Sequence, residues 1–162
     1  MNRLNFIDLT SYWLDRLSRL LLVIVMALMI ADVLFGVINR FIFKFSLSGI
    51  EEIARILMIW ACMLGAGIAF RSGGHIAVIF VYQRLKNFKL PVLLFNNVII
   101  GIFIFILTYY GIITCISKAS LYSPAMRLSM FWPFLAIPTG STVMMIHILY
   151  LTKQIIANRE YL

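Results

Sequence analysis

Acidic residues are scarce in this chain: Asp8, Asp15, Asp32, Glu51, Glu52 and Glu160 are the only six in 162 residues. Histidine and cysteine are scarcer still, with two of each. General bases and metal ligands this few and this scattered give no material for a hydrolytic triad or a zinc site. No glycine-rich phosphate loop is present, and no internal repeat suggests an inverted-repeat transporter built within one chain. Charged residues of both signs make up only 12% of the chain, about half the share carried by a soluble domain.

What is abundant is apolar surface. Hydrophobic residues make up 63% and mean hydropathy is +1.01. Four runs are long enough to cross a hydrocarbon core of about 30 Å, which takes about 20 helical residues: 17–38, 50–70, 91–116 and 132–152. The sequence therefore predicts an all-α integral membrane protein. It has a single membrane domain over 1–162, with four transmembrane helices and interfacial amphipathic helices at the N-terminus and between spans two and three. The first of these rests on Phe6, Leu9, Trp13 and Leu17, which share one helical face opposite Asp8, Ser11, Asp15 and Arg19. The second is the short run Ile76 to Tyr82, which follows the helix stop Arg71-Ser72-Gly73-Gly74-His75. The basic-then-apolar N-terminus has too long an apolar run for a cleaved leader and is expected to stay attached as a signal anchor.

The formal charge of +8 in a soluble protein would suggest nucleic acid. Here the cations fall between spans and report topology. Arg3, Arg16, Arg19, Arg71, Arg84, Lys86, Lys89, Lys153 and Arg159 make nine on one side, against Arg40, Lys44, Lys118 and Arg127 on the other. Both termini are thus predicted to be cytoplasmic. Cys62 and Cys115 fall inside spans and read as packing residues. Trp132, Tyr109 and Tyr110 read as interface anchors on the outer side. Pro138 lies in span four, where it removes a backbone hydrogen bond and introduces a kink.

Charges inside the apolar runs carry the most information, since each costs about 2.5 to 3.5 kcal/mol near a bilayer centre. Glu51, Glu52 and Arg55 open span two, and Asp32 lies in span one. Glu51 precedes Arg55 by one helical turn, the favourable order for a pair. Depth suggests another partner: Arg55 and Asp32 each lie roughly 7 to 9 Å from the outer end of their spans, so antiparallel neighbours come level. The expectation is an Asp32 to Arg55 interhelical pair, with Glu51 and Glu52 left for Arg40, Lys44 or another chain. The competing reading is an ion-coupled carboxylate of a small four-span exporter, against which Asp32 stands off-centre. Ala61, Gly65 and Ala69 place a small residue at every fourth position and predict a close-packing face. His75 and His147, the only histidines, would be needed on facing helices at one depth to hold a haem. The plainer reading is one interface histidine and one bonded within the membrane.

Taken together, Asp32-Val33, Asn39-Arg40, Ser48-Gly49-Ile50-Glu51-Glu52-Ile53-Ala54-Arg55, Gly65-Ala66, Arg71-Ser72-Gly73-Gly74-His75-Ile76-Ala77-Val78 and Ile137-Pro138-Thr139-Gly140 resemble the small membrane subunit of TRAP (tripartite ATP-independent periplasmic) transporters, the DctQ-like family. The likeness covers about residues 30 to 140. Ile79 stands where the family usually has an acid, and Ser129 replaces a frequent proline. The resemblance implies a non-enzymatic scaffold in the bacterial inner membrane. Its implied partners are a large M-type membrane subunit, which holds substrate and sodium, and a periplasmic protein that captures an organic acid such as a C4-dicarboxylate or sialic acid. It implies no cofactor on this chain, no nucleic acid, and structural or intersubunit contacts at Arg40, Glu51, Glu52, Arg55, Arg71 and His75, to which the depth argument adds Asp32. From another functional class, the alternative is a haem- or quinone-associated membrane anchor of a redox enzyme.

Overall fold

A computed structural model of the chain describes residues 6–44, 48–71 and 89–157. Four helices account for nearly all of them: α1 (Phe6–Phe41), α2 (Ser48–Arg71), α3 (Lys89–Lys118) and α4 (Phe131–Ala157). Each contains a segment long and apolar enough to cross a membrane. Helix is the form such runs must take, because hydrocarbon offers no partner for an open N–H or C=O. The short run expected to lie on the interface between spans two and three falls outside the described residues, as does His75.

The N-terminal expectation needs correction. No break separates an interfacial helix from span one: α1 runs unbroken for 36 residues, about 54 Å at 1.5 Å per residue. Its faces are also used the other way round. Ser11 and Ser18 are buried and Asp15 is largely covered, whereas Leu9, Trp13 and Leu17 are exposed. An amphipathic stripe in water hides its apolar side; in lipid the polar side must find protein, and here it finds α2 and α4.

The helices pack in the lateral order α1, α2, α4, α3, with α1 touching α4 only slightly. This is an open layer rather than a closed bundle. Helix α4 is central and the most enclosed, while α1 and α3 form the edges and expose long series of Leu, Ile, Val and Phe. In the middle of the layer Ile104, Met144 and Ile148 form the core, flanked by Met63, Ala66 and Phe70.

Close approach between helices rests on glycines other than those the every-fourth-residue pattern singled out. A Cβ added at Gly140 would stand 2.7 Å from Met63 Cβ, and one at Gly111 would stand 2.9 Å from Ile137 Cγ2 and 3.3 Å from Pro138 N. In the predicted stripe Ala61 is buried, but Gly65 has nothing within 4 Å of a Cβ position and Ala69 is exposed. Pro138 is buried and serves the α3–α4 approach. The hydroxyls around it turn back onto backbone carbonyls: Thr139 to Leu135 O at 2.8 Å, Ser141 to Ile137 O at 2.8 Å and Thr142 to Pro138 O at 2.6 Å. Polar side chains also link the helices: Thr108 donates to Ser141 Oγ at 2.9 Å and Asn97 to Thr152 Oγ1 at 3.3 Å.

The α3–α4 connection is tightly built. Ser123 N–H donates to Leu128 O at 2.8 Å and Met130 N–H to Leu121 O at 2.9 Å, around a bridge between Tyr122 and Ser129. Arg127 adopts φ 52° at its tip. Ser129, at the place of the family's frequent proline, donates to Ala119 O at 2.8 Å and accepts from Phe131 N–H at 3.2 Å. Its hydroxyl therefore ties both ends of the loop.

Candidate functional site

The ionisable side chains gather at the two ends of the α1–α2 pair. The antiparallel register is fixed by two contacts: Asp15 meets Arg71 at one end, and Gly36 meets Ile50 at the other. Between those points, residue counting puts Asp32 level with Ala54, one residue from Arg55. The depth matching made from the sequence is therefore sound, yet the two charges do not meet. The ion pairs among the described residues are Arg19–Asp15 and Arg71–Asp15.

Helical phase explains the miss. At 3.6 residues per turn, Arg55 lies about 140° around α2 from Ile50, the residue that faces α1. Arg55 turns instead toward a cavity of about 220 Å³ shared with the α3–α4 loop and the start of α4. Asp32, Gly36 and Asn39 recur at helical spacing on the α2-facing side of α1. Asp32 Oδ2 and Asn39 Nδ2 are buried there without a hydrogen-bond partner. Glu52 has found one partner, accepting the Met126 N–H at 3.1 Å. This fastens the start of α2 to the loop, and Gly49 lies beside it, where a Cβ would stand 3.2 Å from Met126 Cγ. Glu51 and Arg40 are exposed.

At the Arg71 end the charges converge. Arg71 lies only about 60° around α2 from Ile50 by the same count, so its side chain crosses to α1. One Nη1 contacts Asp15 Oδ2 at 3.1 Å and donates to Ser11 O at 3.0 Å and Tyr12 O at 3.2 Å. The guanidinium also lies over the rings of Tyr12 and Tyr150, at 5.4 and 5.9 Å from their centroids. Asp15 Oδ2 receives a second donor, Arg19 Nε, at 2.9 Å. From α4, His147 is wholly enclosed and shares a 2.9 Å hydrogen bond between its Nδ1 and Ser11 Oγ. Three helices are thereby held by one polar cluster. His147 Nε2 and Asp15 Oδ1 remain buried without a hydrogen-bond partner.

Of the residues singled out from sequence, Arg71 belongs to this clasp, and Glu52 and Arg55 share the cavity at the opposite end. Asp32, Arg40 and Glu51 stand apart from both. Sequence reasoning missed Ser11, Asp15, Tyr12 and Tyr150. A signal for them exists: Ser11, Asp15 and Ser18 repeat at spacings of four and three on one face of a helix that crosses lipid, where a polar face must be covered by protein. For His147 the sequence leaves two readings, a histidine bonded to a neighbour within the membrane and an axial ligand. Its contact with Ser11 is the former.

No group of three or more His, Cys, Asp or Glu suited to a metal is found among the described residues. The chemistry on display is assembly: a shielded guanidinium–carboxylate pair, a serine–histidine bond and a carboxylate capping a loop.

Comparison with known proteins places this architecture. A Haemophilus influenzae protein provisionally named a TRAP transporter small permease protein is 32% identical over 85 residues, which cover 52% of this chain and 53% of that protein. This chain thus aligns with about half the length of that relative. The family model described as tripartite ATP-independent periplasmic transporters, DctQ component, matches residues 29–158. Its match takes in the last part of span one, the other three spans, the Glu51 to Arg55 segment and Pro138, and the chain belongs to the DctQ component family of the tripartite ATP-independent periplasmic transporters.

Proposed function

We propose that this chain is the accessory, non-enzymatic small membrane subunit of a sodium-coupled transporter for an organic acid, a carboxylate such as a C4-dicarboxylate or sialic acid. It acts as a static scaffold for a large membrane subunit that carries substrate and sodium and moves. Membership of the family, from a match over residues 29–158, is the observation that carries this reading. The open layer supports it: both edge helices present apolar side chains that lipid or a second membrane protein must cover, and association between helices in lipid depends on such packing surfaces.

In this reading the chain sits in the bacterial inner membrane with both termini cytoplasmic, which puts the Glu52 end outside. A periplasmic substrate-binding protein docks on that side, where exposed Arg40 and Glu51 are available to a partner. Asp32, at the same end with its Oδ2 unpartnered, is a second contact candidate. Arg71 serves the internal clasp. No cofactor is assigned to this chain, and sodium belongs to the large subunit.

The test is uptake of labelled organic acid by cells that carry the large subunit and binding protein, with and without this chain. Loss of uptake on deletion, restored by supplying the chain from a plasmid, is expected; undiminished uptake without it rejects the scaffold role. Copurification with the large subunit and cytoplasmic fusion reporters at both termini check the partner and the orientation.

A further inference from the structure

We propose that the cavity beside Glu52 and Arg55 is a phospholipid site that selects an ethanolamine headgroup. Its location in the fold is specific: α2 supplies one wall, α4 another, and the α3–α4 loop closes the end. The volume of about 220 Å³ equals roughly seven water molecules at about 30 Å³ each, which accommodates a phosphate and a short amine.

The charge pattern specifies the ligand. Glu52 and Arg55 are three residues apart on one helical face, yet they form no ion pair with each other. Glu52 uses Oε2 for the Met126 N–H and keeps Oε1 for another donor. Arg55, exposed and unpaired, presents a guanidinium suited to two-point recognition of phosphate oxygens. A ligand that satisfies both must carry an anion and a donor cation a few ångströms apart. A phosphate linked by two carbons to a primary ammonium does so. A glycerol headgroup has no cation for Glu52, and a quaternary amine cannot donate a hydrogen bond to it.

The surroundings identify the ligand as lipid rather than a free phosphoester. Below the two charges the walls turn apolar, with Ile56, Ile59 and Phe134 leading along the membrane direction. Arg55 lies about 10 Å inside the first residue of α2. At the same end Trp132 and Tyr122 are 59% and 68% exposed, the residue types that sit at headgroup level.

The experiment uses the full chain purified in a mild detergent, with native mass spectrometry in the presence of phosphatidylethanolamine, phosphatidylglycerol or phosphatidylcholine. The wild type is expected to retain phosphatidylethanolamine over the other two. Arg55→Gln lowers retention of all three by about tenfold, the scale of one charge-assisted bond. Glu52→Gln keeps an oxygen for the Met126 N–H, so the loop stays fastened, and removes only the preference for ethanolamine over glycerol. Circular dichroism and gel filtration confirm that both variants remain folded. Equal retention of the three lipids by the wild type overturns the proposal, as does unchanged retention in folded Arg55→Gln. Displacement of the lipid by soluble phosphoethanolamine would assign the cavity to a free phosphoester instead. A photoreactive group at Leu128 should crosslink to lipid in native membranes; crosslinking to a protein gives the cavity to a partner chain and overturns the proposal.

Discussion

Helices α1 and α2 carry opposite charges at both ends of their contact, and the two ends resolve them differently. Around Arg71 the charges share depth and helical face, so Asp15, Arg71 and Arg19 are bonded together. Around Arg55 they share depth alone. Asp32 turns into the α1–α2 contact with Oδ2 unpartnered, while Arg55 points into a cavity on another side of α2. The difference teaches that membrane depth makes a pair available and helix rotation decides whether it forms.

The sharpest way to break this contrast is Arg71→Ala. It removes a guanidinium that holds one carboxylate, two backbone carbonyls and two aromatic rings, and leaves Asp15 with only the exposed Arg19. Removing one partner of a shielded pair costs about 3 to 5 kcal/mol. Thermal unfolding in detergent micelles should show this as the largest loss among single variants at either end. A double-mutant cycle on Asp15 and Arg71 should return a coupling of about 1 to 3 kcal/mol. A coupling near zero would reduce the clasp to coincidental neighbours.

A second comparison lies inside the layer, between two glycines. Gly140→Val places a Cβ 2.7 Å from Met63 Cβ, so α2 and α4 must separate, at about 1 to 3 kcal/mol for overpacking. Gly65→Ala meets nothing within 4 Å and should be neutral or slightly stabilising, since alanine is the better helix former. The melting temperatures of the two variants, measured side by side, decide which glycine sets the packing.

These contrasts show how much of the molecule was legible beforehand. Four spans followed from the length of the apolar runs, because helix is the one local solution for an isolated apolar segment in lipid. The family likeness rested on short motifs whose order could be read directly. The polar clasp was not read, because a face bearing Ser11 and Asp15 beside one bearing Leu9 and Trp13 has the same periodicity in water and in lipid while the inside and outside exchange. The Asp32 to Arg55 pair was expected for a related reason: spacing gives height along a helix, but its rotation depends on the whole packed layer. Gly65 was favoured over Gly140 because a repeat of small residues is visible in one helix, whereas Met63 is what makes Gly140 necessary.

An effect smaller than that of Arg71→Ala is expected where α4 joins the clasp. Ser11→Ala removes the hydroxyl bonded to His147 Nδ1, leaving a fully enclosed ring whose Nε2 already lacks a partner. The loss should be about 1 to 3 kcal/mol, the cost of an unsatisfied buried group. Ser11→Thr retains the hydroxyl and should recover part of it. Equal melting of the alanine variant and the wild type would show that His147 is held by packing alone.

The smallest effect is predicted at the end where the charges fail to meet. Asp32 makes no hydrogen bond or ion pair with the described residues, so Asp32→Asn forfeits no attraction. It instead removes a carboxylate whose Oδ2 is buried without a hydrogen-bond partner, and the expected sign is therefore neutral to stabilising in the isolated chain. A cycle on Asp32 and Arg55 should give coupling below about 0.3 kcal/mol, the level of independent sites. The same substitution then becomes a probe of assembly. If a second subunit supplies the missing donor, Asp32→Asn should weaken copurification with that subunit while leaving the melting of the isolated chain unchanged or raised. A matching fall in isolated stability would mean that Asp32 already has its partner within this chain, and the contrast between the two ends would disappear.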